Sequence, residues 1–430
     1  MILSYLYNIL KFKKWELLFF VTVFIGLKWS RIITFRPDVD HLIELHKCPA
    51  CFGTSACNDI RKVDITPYDS YSAFSYFFGV KNVFFGFLDG NKVLLKKLAH
   101  STELNEFDRM LCENKNFAHI CTRDLEKLYN ETNINFYELV VQEVTLDFTK
   151  DNLSRLRVCP NTQRLSNLLQ HIYLNNKHVD SKILDINIWT SIVLNPEPLI
   201  LQILSVDKNW PVPKYLGACG RIVIEEYIGL PLTSYYNKPW LLRAKIASSI
   251  LNAAHMFTYR DNDFGFYLTD VSADNIAIDS NNNAKFVDLE NMIIVDKNFL
   301  SEESTTWNRL QENTENLNCT DCLVYSPIEI CDHKISDHNY YAICKILLAF
   351  NINNSVFPDG LLHNIPADIL KNYPNVRYLT EQCVTPQKPF TRIIAGINKL
   401  NQDGLKIIIF IYVHIIKQIC NISMYSYYIK

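Results

Sequence analysis

The stretch FGFYLTDVSADNIAIDSNNNAKFVDLE, residues 264–290, limits the fold more than any other part of the chain. It reads as an apolar strand, a polar loop, a second apolar strand, a turn at Asn281–Asn283 and a third strand. Asp270 closes the first strand, Asn275 follows five positions later on the loop, and Asp288 closes the third strand. Two carboxylates and an amide oxygen at this spacing supply the hard oxygen donors that a hard divalent cation and its phosphate ligands require. The same residues also fit a β-hairpin with surface acids, because Asp and Asn are common in loops. The window alone leaves both readings open.

The chain has 430 residues, enough for one large domain with appendages or for two to three small ones, and 48% of it is hydrophobic, enough for a large core. The net charge is −2 and no Lys/Arg run occurs, so no nucleic-acid partner is expected. Residues 1–30 read as a signal peptide or signal anchor: Lys11, Lys13 and Lys14 precede the apolar run Leu17–Leu27, which Lys28 ends. That run is short beside the roughly 20 residues of a spanning helix, so membrane contact is expected only through this segment, if it stays uncleaved. A buried core helix is the other reading. Thirteen cysteines and sequons at Asn130, Asn152, Asn318, Asn353 and Asn421 agree with secretory entry.

Residues 31–74 are Cys-rich, with Cys48, Cys51 and Cys57 in KCPACFGTSACN. Together with Cys319 and Cys322 the first pair could hold zinc, but an oxidising compartment favours disulfides. Residues 75–98 read as three strands with a hairpin turn at Asp89-Gly90. Residues 99–185 are too long for a loop and are expected to carry helices, for example around Thr162–Leu174. Asn195-Pro196 starts a helix with Glu197 in its first turn, and two strands follow, the second at Ile222–Tyr227. Trp240–Phe257 has helical periodicity. Asp337 opens the apolar helix Ala342–Phe350, and 405–415 is an apolar β-branched run.

This order matches a protein kinase. Val93-Leu94-Leu95-Lys96 looks like the strand whose Lys meets the α/β-phosphates, and Glu197 like its ion-pair partner. Asp270 stands where the catalytic Asp orients a hydroxyl, with Asn275 and Asp288 as metal ligands. Glu225–Gly229 falls at the hinge beside adenine. Gly79 and Gly86 are present without the G-x-G-x-x-G cradle, and Gly79 is the candidate on the nucleotide side. The expected fold is α+β, a two-lobed kinase-like domain. Its N-lobe is 75–228, with the insert 99–185 between strand three and the Glu197 helix, its C-lobe is 229–400, and 401–430 is an atypical tail.

The blocks CPACFGTSAC (48–57), VKNVFFG (80–86), LNPEPLILQ (194–202), NWPVPKYLGACGR (209–221), YLTDVSADN (267–275), VDLEN (287–291), DHNYYAIC (337–344) and GLLHNIPADI (360–369) resemble the divergent protein kinase domain 2 family, the "deleted in autism" proteins. The resemblance covers about residues 44–400. It implies a kinase-like protein that enters the secretory pathway and is associated with the Golgi and secretion. A candidate for every charged group of the transfer favours an active kinase using ATP with Mg or Mn on a luminal or extracellular protein or glycan acceptor. The poor glycine loop, the missing His-Arg and Asp-Leu-Glu favour the alternative, a pseudokinase acting as a secreted signalling ligand or vesicle-trafficking scaffold. Lys96, Glu197, Asp270, Asn275 and Asp288 carry over, and Asp337 resembles the brace of the catalytic loop. Leu268-Thr269 replaces the usual His-Arg, and Leu289 and Glu290 replace Phe and Gly after the metal Asp. A third reading is a disulfide-rich binding module acting through Cys48–Cys57 and 99–185.

Overall fold

The computed structural model describes residues 38–66, 83–122, 134–145, 156–299, 306–312, 323–348 and 359–384, besides Thr22. The targeting segment otherwise, Gly79, the five sequons, Cys319 and Cys322, and the tail 401–430 lie outside the described residues. In chain order the strands used below are β1 (Asp64–Ile65), β2 (Val83–Leu88), β3 (Asn91–Lys97), β4 (Leu156–Cys159), β5 (Tyr215–Cys219), β6 (Ile222–Glu226), β7 (Leu230–Pro231), β8 (Phe264–Leu268), β9 (Ile276–Ile278), β10 (Ala284–Phe286) and β11 (Met292–Asp296). The helices used below are α1 (Ser101–Glu113), α2 (Phe136–Val144), α3 (Leu165–Asn175), α4 (Ser181–Leu194), α5 (Glu197–Ile203), α6 (Trp240–His255) and α7 (His338–Ile343).

Five strands form one sheet in the order β1-β2-β3-β6-β5. The β2–β3 hairpin turns through Asp89 at φ 49° and Gly90 at φ 80°, the left-handed pair that matches strand twist. Within 75–98, the described residues hold two strands where the sequence suggested three. Strand alternation separates the faces of β3. Val93 and Leu95 pack on one side against Leu42, Ile60, Val63 and Ile65, and Leu94 and Lys96 turn to the other. Gly86 sits mid-strand, paired with Val93 and Ile65, and a Cβ there would meet Val63 Cγ1 at 2.4 Å. It serves close packing of β1, not a phosphate loop. At the β5–β6 turn, Gly220 has φ 60° and a Cβ would lie 1.8 Å from the Ile43 carbonyl oxygen, so the N-terminal segment packs directly on the turn backbone.

The described residues of 99–185 are largely helical, as expected of a segment too long for a loop. The helix expected near Thr162–Leu174 is α3. Phe107, Phe117 and Phe136 gather on Trp189 of α4 at ring distances of 5.7, 5.3 and 5.9 Å. α4 is buried on nearly every side, which is why its sequence shows no polar stripe. One strand of this segment belongs elsewhere: β4 pairs in parallel with β11, which pairs antiparallel with β8. β7, β9 and β10 form another small sheet. Trp210 stacks on Phe257 at 5.8 Å and meets Phe266 edge-on at 5.4 Å, and Phe257 meets Phe286 at 5.4 Å. This aromatic knot ties β8 to β10, the strands that lead to Asp270 and Asp288.

Five disulfides join described cysteines: Cys48–Cys51, Cys57–Cys219, Cys112–Cys121, Cys159–Cys331 and Cys344–Cys383. Cys48 and Cys51 bond each other and Cys57 bonds Cys219, so this segment does not hold zinc. The second and fourth bonds span 162 and 172 residues. Among the described residues, no helix is long and apolar enough to cross a membrane.

Candidate functional site

A cleft of about 410 Å³ opens between the five-stranded sheet and the β7-β9-β10 sheet, lined by Val83, Leu94, Ala277, Val287 and the polar groups Lys96, Glu197, Asn275, Asp288 and Glu290. Lys96 lies at its inner end. Its Nζ donates to Glu197 Oε1 at 2.9 Å, to Oε2 at 3.1 Å and to the Val287 carbonyl at 2.6 Å. Sequence reasoning paired Lys96 with Glu197, and the structure brings them together across 101 residues.

Asn195 explains how α5 delivers Glu197. Its Oδ1 accepts from the Glu197 N–H at 2.9 Å, and its Nδ2 donates to the Leu98 carbonyl at 3.2 Å and to Glu290. One buried amide therefore joins the end of β3, the start of α5 and the residue two beyond Asp288. Its capping role was legible in Asn-Pro; its other two bonds were not. Glu290, which stands in place of a glycine, lies on the cleft wall and is held by Asn195.

Glu225 requires a correction. At the hinge it would offer backbone groups, but its backbone is in register with both Leu94 of β3 and Tyr215 of β5. Residues facing each other in an antiparallel pair share a face, so Glu225 points to the side of Leu94 and Lys96. Its Oε2 lies 2.9 Å from Lys96 Nζ, and the side chain is fully buried. The hinge positions that line the cleft are Tyr227, Ile228 and Gly229.

One ammonium thus faces two buried carboxylates. Burial alone would lower the Lys96 pKa, but Glu197 and Glu225 outweigh it and the net shift is upward. Burial, then repulsion from Glu225, raises Glu197 well above the usual carboxylate range despite the pull of Lys96, and Asp288 adds to this. Glu225 is raised chiefly by burial, with Asp288 contributing. Burial is the main cause for both acids, and the single cation between them balances only one.

Asp270 follows β8 and is open to solvent, 3.5 Å from Asn291 Nδ2. Surrounding protein atoms first, and repulsion from Asp288 second, raise its pKa. Asn275 Nδ2 donates to the Asp270 carbonyl at 3.4 Å, and Asn275 O accepts from the Val287 N–H at 3.0 Å, so the catalytic-loop candidate and the strand before Asp288 are stitched together. Behind them, α7 braces β8. Asn339 Oδ1 accepts from the Leu268 N–H at 3.0 Å and its Nδ2 donates to the Phe266 carbonyl at 2.8 Å. His338 Nε2 donates to the Leu268 carbonyl at 2.8 Å. Asp337 is fully buried at the N-cap position of α7, and sequence reasoning missed that the two residues after it, His338 and Asn339, bond β8 directly through their side chains.

The family model "Protein-kinase domain of FAM69" matches residues 188–386, which hold α5, β5–β11 and α7. "Divergent protein kinase domain 2A" of Xenopus tropicalis is 34% identical over 367 residues, covering 81% of this chain and 84% of that protein. The chain belongs to the divergent protein kinase domain 2 family. The Homo sapiens 2A protein is 32% identical over 372 residues, 82% of this chain and 85% of its own length. "Divergent protein kinase domain 2B" of Homo sapiens is 24% identical, covering 77% of this chain and 78% of that protein. In this divergent kinase domain the β3 lysine and α5 glutamate meet, and the wall near Asp288 carries an extra acid, Glu290.

Proposed function

We propose that this protein is a two-lobed, secretory-pathway kinase that transfers the γ-phosphoryl of ATP to a hydroxyl of a luminal or extracellular protein or glycan. In this reading β1–β3, β5, β6 and α5 form the N-lobe, 99–185 is its insert, and α6 onward forms the C-lobe. The observation that carries it is the buried Lys96–Glu197 pair at the end of a cleft also lined by Asn275 and Asp288. A decorative β-hairpin has no need of that pair, 101 residues apart in sequence.

The residues present fit the implied cofactor. An amide oxygen and a carboxylate are the hard donors that Mg or Mn takes. Val83, Leu94 and Ala277 give an apolar lining suited to a flat base. ATP with its metal supplies the phosphoryl group and neutralises charge that builds up on its oxygens. The chain's own residues would do the rest: Glu197 holds Lys96, which would face the phosphates, Asn275 and Asp288 would hold the metal, and Asp270 would orient the acceptor hydroxyl and accept its proton. The raised pKa of Asp270 suits proton acceptance nearer neutral pH. Disulfides spanning 162 and 172 residues support an oxidising compartment, and Golgi residence or secretion follows from the family resemblance.

The test is the melting temperature of the secreted chain with and without Mg–ATP or Mn–ATP. A ligand that binds only the folded state raises it. We expect a metal-dependent rise that Asp288→Ala abolishes and Asp270→Ala keeps, with phosphotransfer lost in both. No rise with any nucleotide or metal favours the second reading, a pseudokinase scaffold or secreted ligand. The bond that ties Glu290 to Asn195 gives that reading its support.

A further inference from the structure

Lys96 has three N–H donors, and four acceptor atoms surround it: both oxygens of Glu197, the Val287 carbonyl and Glu225 Oε2, at 2.9, 3.1, 2.6 and 2.9 Å. The first three are aligned hydrogen bonds. Glu225 Oε2 is an ion contact without that alignment, and neither oxygen of this fully buried carboxylate receives a hydrogen bond from a described residue. We infer that Glu225 is a built-in competitor of the nucleotide, an internal anion that holds Lys96 and that phosphate oxygens must outbid before the lysine can serve them. The inference rests on the nucleotide reading of the cleft and adds its regulation.

Three observations separate Glu225 from Glu197. Glu197 is bound through both oxygens and its N–H is capped by Asn195, so it is positioned to hold Lys96 in any state. Glu225 Oε2 lies 2.9 Å from Lys96 Nζ without hydrogen-bond alignment, and neither of its oxygens has a hydrogen-bond donor among the described residues. The third is charge. Glu197 and Glu225 both face a single ammonium, so a polyanionic ligand entering without a cation is repelled. Val287, whose carbonyl occupies the third donor, immediately precedes Asp288, so freeing Lys96 for a phosphate also loosens the backbone beside the metal ligand.

A residue that only stabilises the fold makes the opposite prediction from a competitor. Removing a structural ion-pair partner weakens everything nearby. Removing a competitor whose carboxylate lacks hydrogen bonds leaves the fold intact and improves binding. The experiment uses the full disulfide-bonded chain as wild type, Glu225→Gln, Glu225→Leu and Glu197→Gln. Dissociation constants are measured for ATP with Mn and for ATP in EDTA. The expected result is binding tightened on the order of tenfold in both Glu225 variants, with a smaller loss on metal removal, and weakened binding in Glu197→Gln. Melting temperatures without ligand are expected to be unchanged or higher in the Glu225 variants. Unchanged or weaker binding in both Glu225 variants, with wild type binding, overturns the inference and leaves the nucleotide reading standing. Binding seen only in the Glu225 variants upholds the inference. Absence of binding in all four proteins overturns the nucleotide reading and the inference with it.

Discussion

Lys96→Met tests the electrostatics of the cleft at their source. The substitution keeps most of the side-chain volume and removes the one positive charge between Glu197 and Glu225, which are 2% and 0% exposed. Breaking a buried ion pair by deleting one partner costs about 3–5 kcal/mol, because the other charge stays buried. The Val287 carbonyl also loses its donor, about 1 kcal/mol, while uptake of a proton by one carboxylate recovers part of the loss. A net deficit of about 4 kcal/mol corresponds to roughly 8 °C in melting temperature for a domain of this size. Both acids already have folded pKa values above their unfolded ones, and the substitution raises them further. Between those values the folded state binds more protons than the unfolded state, so stability falls as pH rises through the window. The deficit should therefore be larger at pH 8 than at pH 5.5. Urea unfolding in EDTA with disulfides intact measures it, and adding Glu225→Leu to Lys96→Met should restore part of the loss. A deficit below about 1 kcal/mol, or one equal at both pH values, would refute the account of Lys96 as the counter-charge of two buried acids.

His255 and His338 are both lowered to about 4, chiefly by burial. Each contributes stability that is present above about pH 6.5 and lost as pH falls toward 4, up to about 3 kcal/mol apiece; replacing His338 with Gln should flatten this acid limb, as followed by far-UV circular dichroism. Asn195→Ala removes the bond that caps α5 and those to Leu98 and Glu290. It should cost about 2–4 kcal/mol and weaken metal–nucleotide binding, both measurable by thermal shift. Cys331→Ser opens the 172-residue loop, and the chain-entropy relation puts the loss at about 5 kcal/mol, readable as a lower secreted yield and urea midpoint.

Much of the site was legible because its chemistry depends on spacing. Asp270, Asn275 and Asp288 lie within one strand-loop-strand unit, so local order places them. Lys96 and Glu197 could be paired only through the family's element order, since nothing local relates residues 101 apart. Glu225 was misplaced because sequence gives a strand but not its register. IVIEE reads as a strand end, and only the pairing of Leu94 with Glu225 shows that the acid turns inward. The membership of β4 in a sheet with β8 and β11 was hidden for the same reason: a four-residue parallel strand carries no local sign of a partner more than 100 residues away. His338 and Asn339 were read as part of the helix opening, because what they bond is backbone, which any sequence supplies.

The two long disulfides interlock along the chain. Cys57 to Cys219 and Cys159 to Cys331 overlap, so residues 159–219 lie inside both loops. No single cut between Cys57 and Cys331 yields two pieces that each keep all their native bridges. On the proposed secretory route, the chain would present Cys159 about ten to thirty seconds before Cys331 is made, at ordinary elongation rates. Until Cys331 is made Cys159 lacks its native partner, and Cys57 lacks its own until Cys219 is made, so the two can pair wrongly with each other. On that proposed route, maturation of this protein should therefore be limited by thiol–disulfide exchange, and its yield should fall as isomerase supply falls.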